Sequence, residues 1–215
     1  MVEVFCFPVA EGDFLWVRYG EEKKSHILID GGTKEFGYLY KNVLMSIDEK
    51  DERIEAIILT HIDNDHIGGI IELLKENGSD MDSKIIRIRN IWHNSYRHLQ
   101  FEKNQKLGRS EKNILKKIIA NGEVYFNYNL GKNNPISAIQ GTTLAGLIFE
   151  GGYHWNEQFY KQAVMNNGIN YQFEKECFIT VLKPNISDLE KLGKKWKRDL
   201  KKSKYSFVFS EDKLF

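Results

Sequence analysis

The chain has 215 residues, with 31 basic and 30 acidic side chains and a formal net charge of +1. That length predicts one large domain, or one and a half small ones, and an apolar share of 41% with 13% aromatics supplies a packed core. Disorder, collagen, coiled coil, disulfide mini-protein and membrane span are excluded, and near-zero charge gives no global pull towards nucleic acid or anionic membrane.

The opening stretch, residues 1–13, has no basic n-region and no small-residue cleavage site, so no signal peptide is read and a cytoplasmic location is expected. Val2 to Pro8 and Phe14 to Tyr19 are strand candidates around the Glu11-Gly12-Asp13 turn. His26 to Asp30 is a short apolar strand closed by Gly31-Gly32, and His26 reads as structural. Phe36 to Ile47 has helical spacing, Ile54 to Leu59 reads as a buried strand, and Ile67, Ile70, Ile71 and Leu74 predict a helix ended by Gly78. Lys84 to Ile91 is expected to be another strand.

From 94 to 175 the pattern weakens. Helices are expected at Ser110–Ala120, Ile136–Phe149 and Trp155–Met165, in an insertion or covering layer. Cys177 to Leu182 reads as a strand ended by Pro184. Ser187-x-x-Glu190 is a capping box opening a helix with Ile186, Leu189, Leu192, Trp196 and Leu200 inward. Ser206 to Phe209 is a last strand candidate. Cys6 and Cys177 form no CxxC pair and read as reduced structural thiols. Lys183 to Lys204 holds nine basic and three acidic residues, either a solvated helix face or a stripe that contacts phosphates.

One segment carries chemistry: Thr60-His61-Ile62-Asp63-Asn64-Asp65-His66-Ile67-Gly68-Gly69. Four potential metal ligands fall within six residues, between a buried strand and a helix. On a tight loop, residues two apart point the same way, so His61 and Asp63 can grip one cation. Asp65 and His66, at the turn into the helix, can face a second. Imidazole nitrogen and carboxylate oxygen both suit a borderline or hard divalent metal. A helix N-cap alone would explain Asp65, but it requires neither His61 nor Asp63.

This segment resembles the metallo-β-lactamase signature H-x-H-x-D-H followed by glycine, and Ile27-Leu-Ile-Asp30-Gly31 resembles that family's second recurring element. The resemblance implies an αββα sandwich, mixed α/β in class. It spans 1–215 as one domain, with a core over 1–93 and 176–215 and an insertion over about 94–175. It implies metal ligation by His61, Asp63, Asp65 and His66, with Asp30 supporting the loop from beneath. Asp63 stands where most members have His. That form is similar to the nuclease-type domain attached to bacterial DNA-uptake channels and to hydrolase-like proteins of anti-phage defence. No Gly-Asp pair follows residue 13 to supply a later bridging Asp, so the sandwich is expected to be incomplete in its C-terminal half. His93 and His154, with His98 behind them, are the candidates for a further ligand.

The resemblance implies two divalent ions, Zn²⁺ by default, with Mn²⁺ or Mg²⁺ favoured by the extra carboxylate. A metal-activated water would attack the substrate, with Asp65 as the catalytic carboxylate that orients it. A carboxylate-rich site suits phosphodiester hydrolysis, with nucleic acid as partner. The alternatives are an ester, lactone or thioester hydrolase using the same site, or a truncated, non-catalytic metal-binding module. An open sheet edge would invite a second copy or a complementing chain.

Overall fold

A computed structural model describes residues 1–37, 41–103, 108–109, 113, 136–173 and 177–202. The strands β1 (Val2–Cys6), β2 (Leu15–Tyr19) and β3 (Ser25–Ile29) form an antiparallel meander. The helix α1 (Lys41–Asp48) then leads to β4 (Ile54–Ile58), which pairs parallel with β3. Helix α2 (Asn64–Asn77) follows, with a small hairpin of β5 (Gly78–Ser79) and β6 (Asp82–Ser83). Strand β7 (Ile91–Trp92) pairs parallel with β4, giving a five-stranded sheet in the order β1-β2-β3-β4-β7. The helix α3 (Ile136–Glu150), the hairpin of β8 (Asn170–Gln172) and β9 (Phe178–Thr180), and the helix α4 (Ile186–Lys202) complete the described chain.

The architecture is mixed α/β, as the sequence predicts. Alternation along the strands sends side chains to two cores. Leu28, Ile57 and Ile91 join Ile67, Ile70 and Leu74 of α2, Leu144 and Ile148 of α3, and Trp196 of α4 on the helical side. Ile27, Ala56 and Trp92 face the other way, where Phe159, Tyr171 and Phe173 cover them. The small β8–β9 sheet therefore occupies the layer opposite the helices. Among the described residues, no helix is long and apolar enough to cross a membrane.

Several expectations change. Lys84–Ile91 is not a continuous strand: Ile88 makes an isolated bridge to Ile54, and regular pairing begins at Ile91. The backbone is satisfied differently, because the N–H groups of Ile85 and Ile86 donate to the side-chain oxygen of buried Asn77. Trp155–Met165 yields one 3₁₀ turn, Glu157–Phe159, because Asn156, Tyr160 and Lys161 adopt left-handed backbone that ends a helix. The expected Phe36–Ile47 helix begins as a 3₁₀ turn at Lys34–Phe36, with α1 starting at Lys41. Helix α4 starts earlier than Ser187 predicts. Asn185 accepts from the Asp188 N–H, and Asp188 accepts from the Asn185 N–H, a reciprocal cap two residues upstream. Ile186 consequently lies at the exposed first turn, while Leu189, Trp196 and Leu200 are buried. Almost all of Ser110–Ala120, and all of Ser206–Phe209, lie outside the described residues.

Candidate metal centre at the strand ends

The parallel strands β3, β4 and β7 all point their C-terminal ends to one edge, the usual place for a site in such sheets. Asp30 follows β3, residues 59–63 follow β4, and His93 follows β7. Asp30 is buried and takes a left-handed backbone, φ 57°. Its N–H donates to the Ile58 carbonyl at 2.9 Å, which fixes it at the mouth of the β3–β4 pair.

The Asp30 carboxylate organises the loop. One oxygen accepts the Thr60 N–H at 2.8 Å. The other accepts the Thr60 hydroxyl and His66 Nδ1–H, the latter at 2.9 Å. A carboxylate only accepts, so Nδ1 of His66 carries a proton, and in the neutral ring Nε2 keeps its lone pair. The Thr60 hydroxyl has spent its one proton on Asp30. It therefore accepts from His61 Nδ1–H at 2.9 Å, and His61 also presents a bare Nε2. The two rings lie 4.5 Å apart, tilted by 31°. One buried carboxylate thus sets the tautomer of both imidazoles, the role such outer partners play around metal-ligating histidines.

The remaining residues gather at the start of α2. Asp63 is the N-cap, with extended backbone and no side-chain capping bond, so helix capping does not consume its carboxylate. Asp65 lies in the first turn, its oxygen 3.6 Å from His66 Nε2. A negative charge there also favours the helix N-terminus. Side chains of Asp30, His61 and His66 offer ligand atoms all within 4.8 Å of one another. Two lone-pair nitrogens, with the Asp65 carboxylate beside that of His66, form a donor set that fits a divalent cation, while half-buried Asp63 and Asp65 fall outside the three-residue group. Gly68 lets α2 approach the loop after β3: a Cβ there would stand 2.8 Å from the Lys34 nitrogen.

The other candidate histidines are not part of this ligand-atom group among the described residues. His93 is fully buried, with Nε2 3.2 Å from the Gly141 carbonyl and its ring stacked on Trp155. Burial pushes its pKa down to about 4, partly offset by the bond to Gly141. His98 is buried in a 3₁₀ capping box with Ser95, and its pKa is also lowered, first by burial and then by Arg97. His154 is exposed, 3.7 Å from the Glu157 carboxylate. His26 accepts from Trp16 Nε1–H and pairs with Glu52 in the core, a structural position. Two contributors carried no signal in the sequence. Thr60 bridges Asp30 and His61. The β1–β2 turn also reaches the site: Asp13 lies 3.8 Å from His66, and Gly12 lies against the Asp65 backbone.

Residues 14–79 match the family described as the metallo-beta-lactamase superfamily. The matched stretch holds Asp30 and the whole His61–His66 loop, and is under a third of the chain. A stretch of the chain is similar to hydroxyacylglutathione hydrolase 2 of Vibrio vulnificus, 28% identical over 75 residues, covering 35% of this chain and 27% of that protein. It is also similar to the hydroxyacylglutathione hydrolase of Buchnera aphidicola subsp. Schizaphis graminum, 31% identical over 67 residues, covering 31% of this chain and 24% of that protein. The aligned stretch spans about a quarter of the length of these curated relatives. The metallo-β-lactamase match thus rests on the half of the sheet that builds the centre.

Proposed function

We propose that the protein is a metal-dependent hydrolase centred on His61, Asp63, Asp65 and His66, and that it cleaves phosphodiester bonds. One observation carries the metal reading: the Asp30–Thr60–His61 and Asp30–His66 hydrogen bonds leave both Nε2 lone pairs free on neighbouring rings. A divalent cation held there would supply Lewis acidity and lower the pKa of water towards neutrality. His61 and His66 would hold cations through Nε2, and Asp63 and Asp65 through carboxylate oxygens. Asp65 would also accept a hydrogen bond from the attacking water and orient it. Asp30 and Thr60 hold the rings still throughout. Two carboxylates among the proposed ligands favour hard cations, and two such ions suit phosphodiesters, whose attacking and leaving oxygens both need neutralisation.

A second reading has its own support. The relatives are named hydroxyacylglutathione hydrolases, so the same centre would cleave a thioester. The two separate in one experiment. The purified chain, loaded with Zn²⁺ or Mn²⁺, is assayed on bis-p-nitrophenyl phosphate and on a hydroxyacylglutathione. Elemental analysis runs alongside, with His61→Ala and Asp63→Ala as controls. Phosphodiester turnover with two metal equivalents, lost in both variants, supports the proposal. Turnover of the thioester alone selects the second reading. Bound metal unchanged in both variants would overturn the centre itself.

A further inference from the structure

We infer that the outward face of α4 docks a nucleic-acid strand. The inference extends the phosphodiester reading above, and its own measurement is made without hydrolysis. Helix α4 carries seven basic and three acidic residues in a chain whose net charge is +1, so the rest of the chain is net acidic by three. The positive charge is therefore local, and the whole-chain balance conceals it.

The helix sorts its residues cleanly. Leu189, Trp196 and Leu200 are buried, and Leu192 is half-buried. Lys191, Lys194, Lys195, Lys197 and Arg198 are all exposed. At 3.6 residues per turn they share one side of the helix, and Lys191 to Arg198 spans about 10 Å. That length matches roughly three phosphates at about 3.4 Å each along one strand of a duplex. Arg198 has a nearby carboxylate in Asp199, at 3.9 Å, while Lys191, Lys194 and Lys195 have no carboxylate partner among the described residues. Three cations of this row, Lys191, Lys194 and Lys195, are thus left without a carboxylate among the described residues, and they call for anions.

The apolar side of α4 decides between polyanions. An amphipathic helix at a bilayer inserts its apolar face, but here that face is already spent on the core. A nucleic-acid backbone requires only the charged side. The helix is also close to the chemistry. On its buried side, a Cβ placed on Gly141 of α3 would stand 2.7 Å from the Trp196 ring and 3.4 Å from Ile62, which lies between His61 and Asp63.

The test is fluorescence anisotropy of a labelled single-stranded DNA, about 20 nucleotides long, with the full chain in EDTA at rising salt. The variant replaces Lys191, Lys195 and Arg198 together: Lys191→Gln, Lys195→Gln and Arg198→Gln. Its affinity should fall at least about tenfold, and the slope of log K against log salt should shrink by about 2. An unchanged unfolding midpoint shows that the fold is intact. If the triple variant unfolds, Lys194→Gln with Lys197→Gln carries the same test. Equal affinity and slope in an intact variant overturn the inference. So does a wild-type chain that binds phosphatidylserine vesicles and not DNA. Loss of DNA binding with bis-p-nitrophenyl phosphate turnover retained separates docking from catalysis. DNA binding without any turnover leaves the dock standing and removes the hydrolase.

Discussion

Asp30→Asn is the sharpest test of how the centre is set. Asparagine tolerates the left-handed backbone at this position, so the substitution changes chemistry with little backbone strain. One side-chain oxygen remains, and it can keep the Thr60 N–H bond. The other becomes an NH₂, which must donate where Asp30 accepted. His66 Nδ1 then has to accept, moving its proton to Nε2. The Thr60 hydroxyl also has to accept from Asn, so it donates to His61 Nδ1, and His61 is protonated at Nε2 too. A single atom exchange thus closes both nitrogens that the proposed site would offer to a cation. Hydrogen bonds to a charged group are worth about 1.5–3 kcal/mol each and neutral ones about 1, so stability should drop by about 1–3 kcal/mol. Metal affinity should fall further, since loss of one such outer partner typically costs 10–100-fold and here two rings are affected. Competition with a fluorescent chelator measures affinity, urea unfolding measures stability, and ¹⁵N imidazole spectra read the tautomers. Wild-type metal affinity in a folded Asp30→Asn protein would refute the reasoning.

Three further outcomes are expected. Gly12→Ala places a Cβ 1.8 Å from the Asp65 carbonyl oxygen at φ +75°; left-handed strain alone costs about 1–2 kcal/mol, and the clash adds to it, so both unfolding midpoint and metal affinity should fall. Asn77→Ala strips partners from the N–H groups of Ile85 and Ile86 and from the Ile86 carbonyl, all in the core, so a loss of about 3 kcal/mol or more should appear in urea unfolding. Stability should also fall between pH 6.5 and 4, because the unfolded chain protonates His93 in that window while the folded one, at about 4, resists; the stabilisation is complete above pH 6.5, and about 3 kcal/mol is lost by pH 4. Paired urea titrations of wild type and His93→Asn at pH 7.5 and 4.5 isolate that term, and equal pH slopes in the two proteins would contradict it.

The elements legible in the sequence are those whose hydrogen bonds close within a repeating pattern. β2 and α2 alternate or repeat cleanly, and β3 and β4 are short apolar runs because both of their faces are buried, one in each core. The pattern misleads where apolar residues are buried without regular pairing. Ile85, Ile86 and Ile88 have the composition of a strand, yet the Asn77 side chain takes over part of the ladder's work. Trp155–Met165 has enough apolar residues for a helix, but three consecutive-region residues with positive φ break it, and nothing in their identities demands that backbone. At α4 the Ser187 capping box misplaces the helix start, because Asn185 makes the reciprocal bonds with Asp188 two residues upstream.

At the centre, legibility stops at tautomers. The spacing of His61, Asp63, Asp65 and His66 marks candidate ligands because they leave one short stretch of chain where β4 passes into α2. Which ring nitrogen each histidine presents depends on Asp30, thirty residues upstream in sequence and brought alongside by the parallel β3–β4 pair. That pairing is set by burial of Ile27, Leu28, Ala56 and Ile57, residues with no part in the chemistry. The link between them is Thr60, whose single hydroxyl proton relays the charge of Asp30 to His61. Thr60→Val keeps the shape and removes the relay to one ring only. His66 should stay in its set tautomer through Asp30, while His61 loses its constraint. Metal affinity should therefore fall less than in Asp30→Asn, by about 10-fold. If Thr60→Val keeps wild-type affinity while Asp30→Asn loses it, the centre depends on the Asp30 charge itself and not on the hydrogen-bond relay.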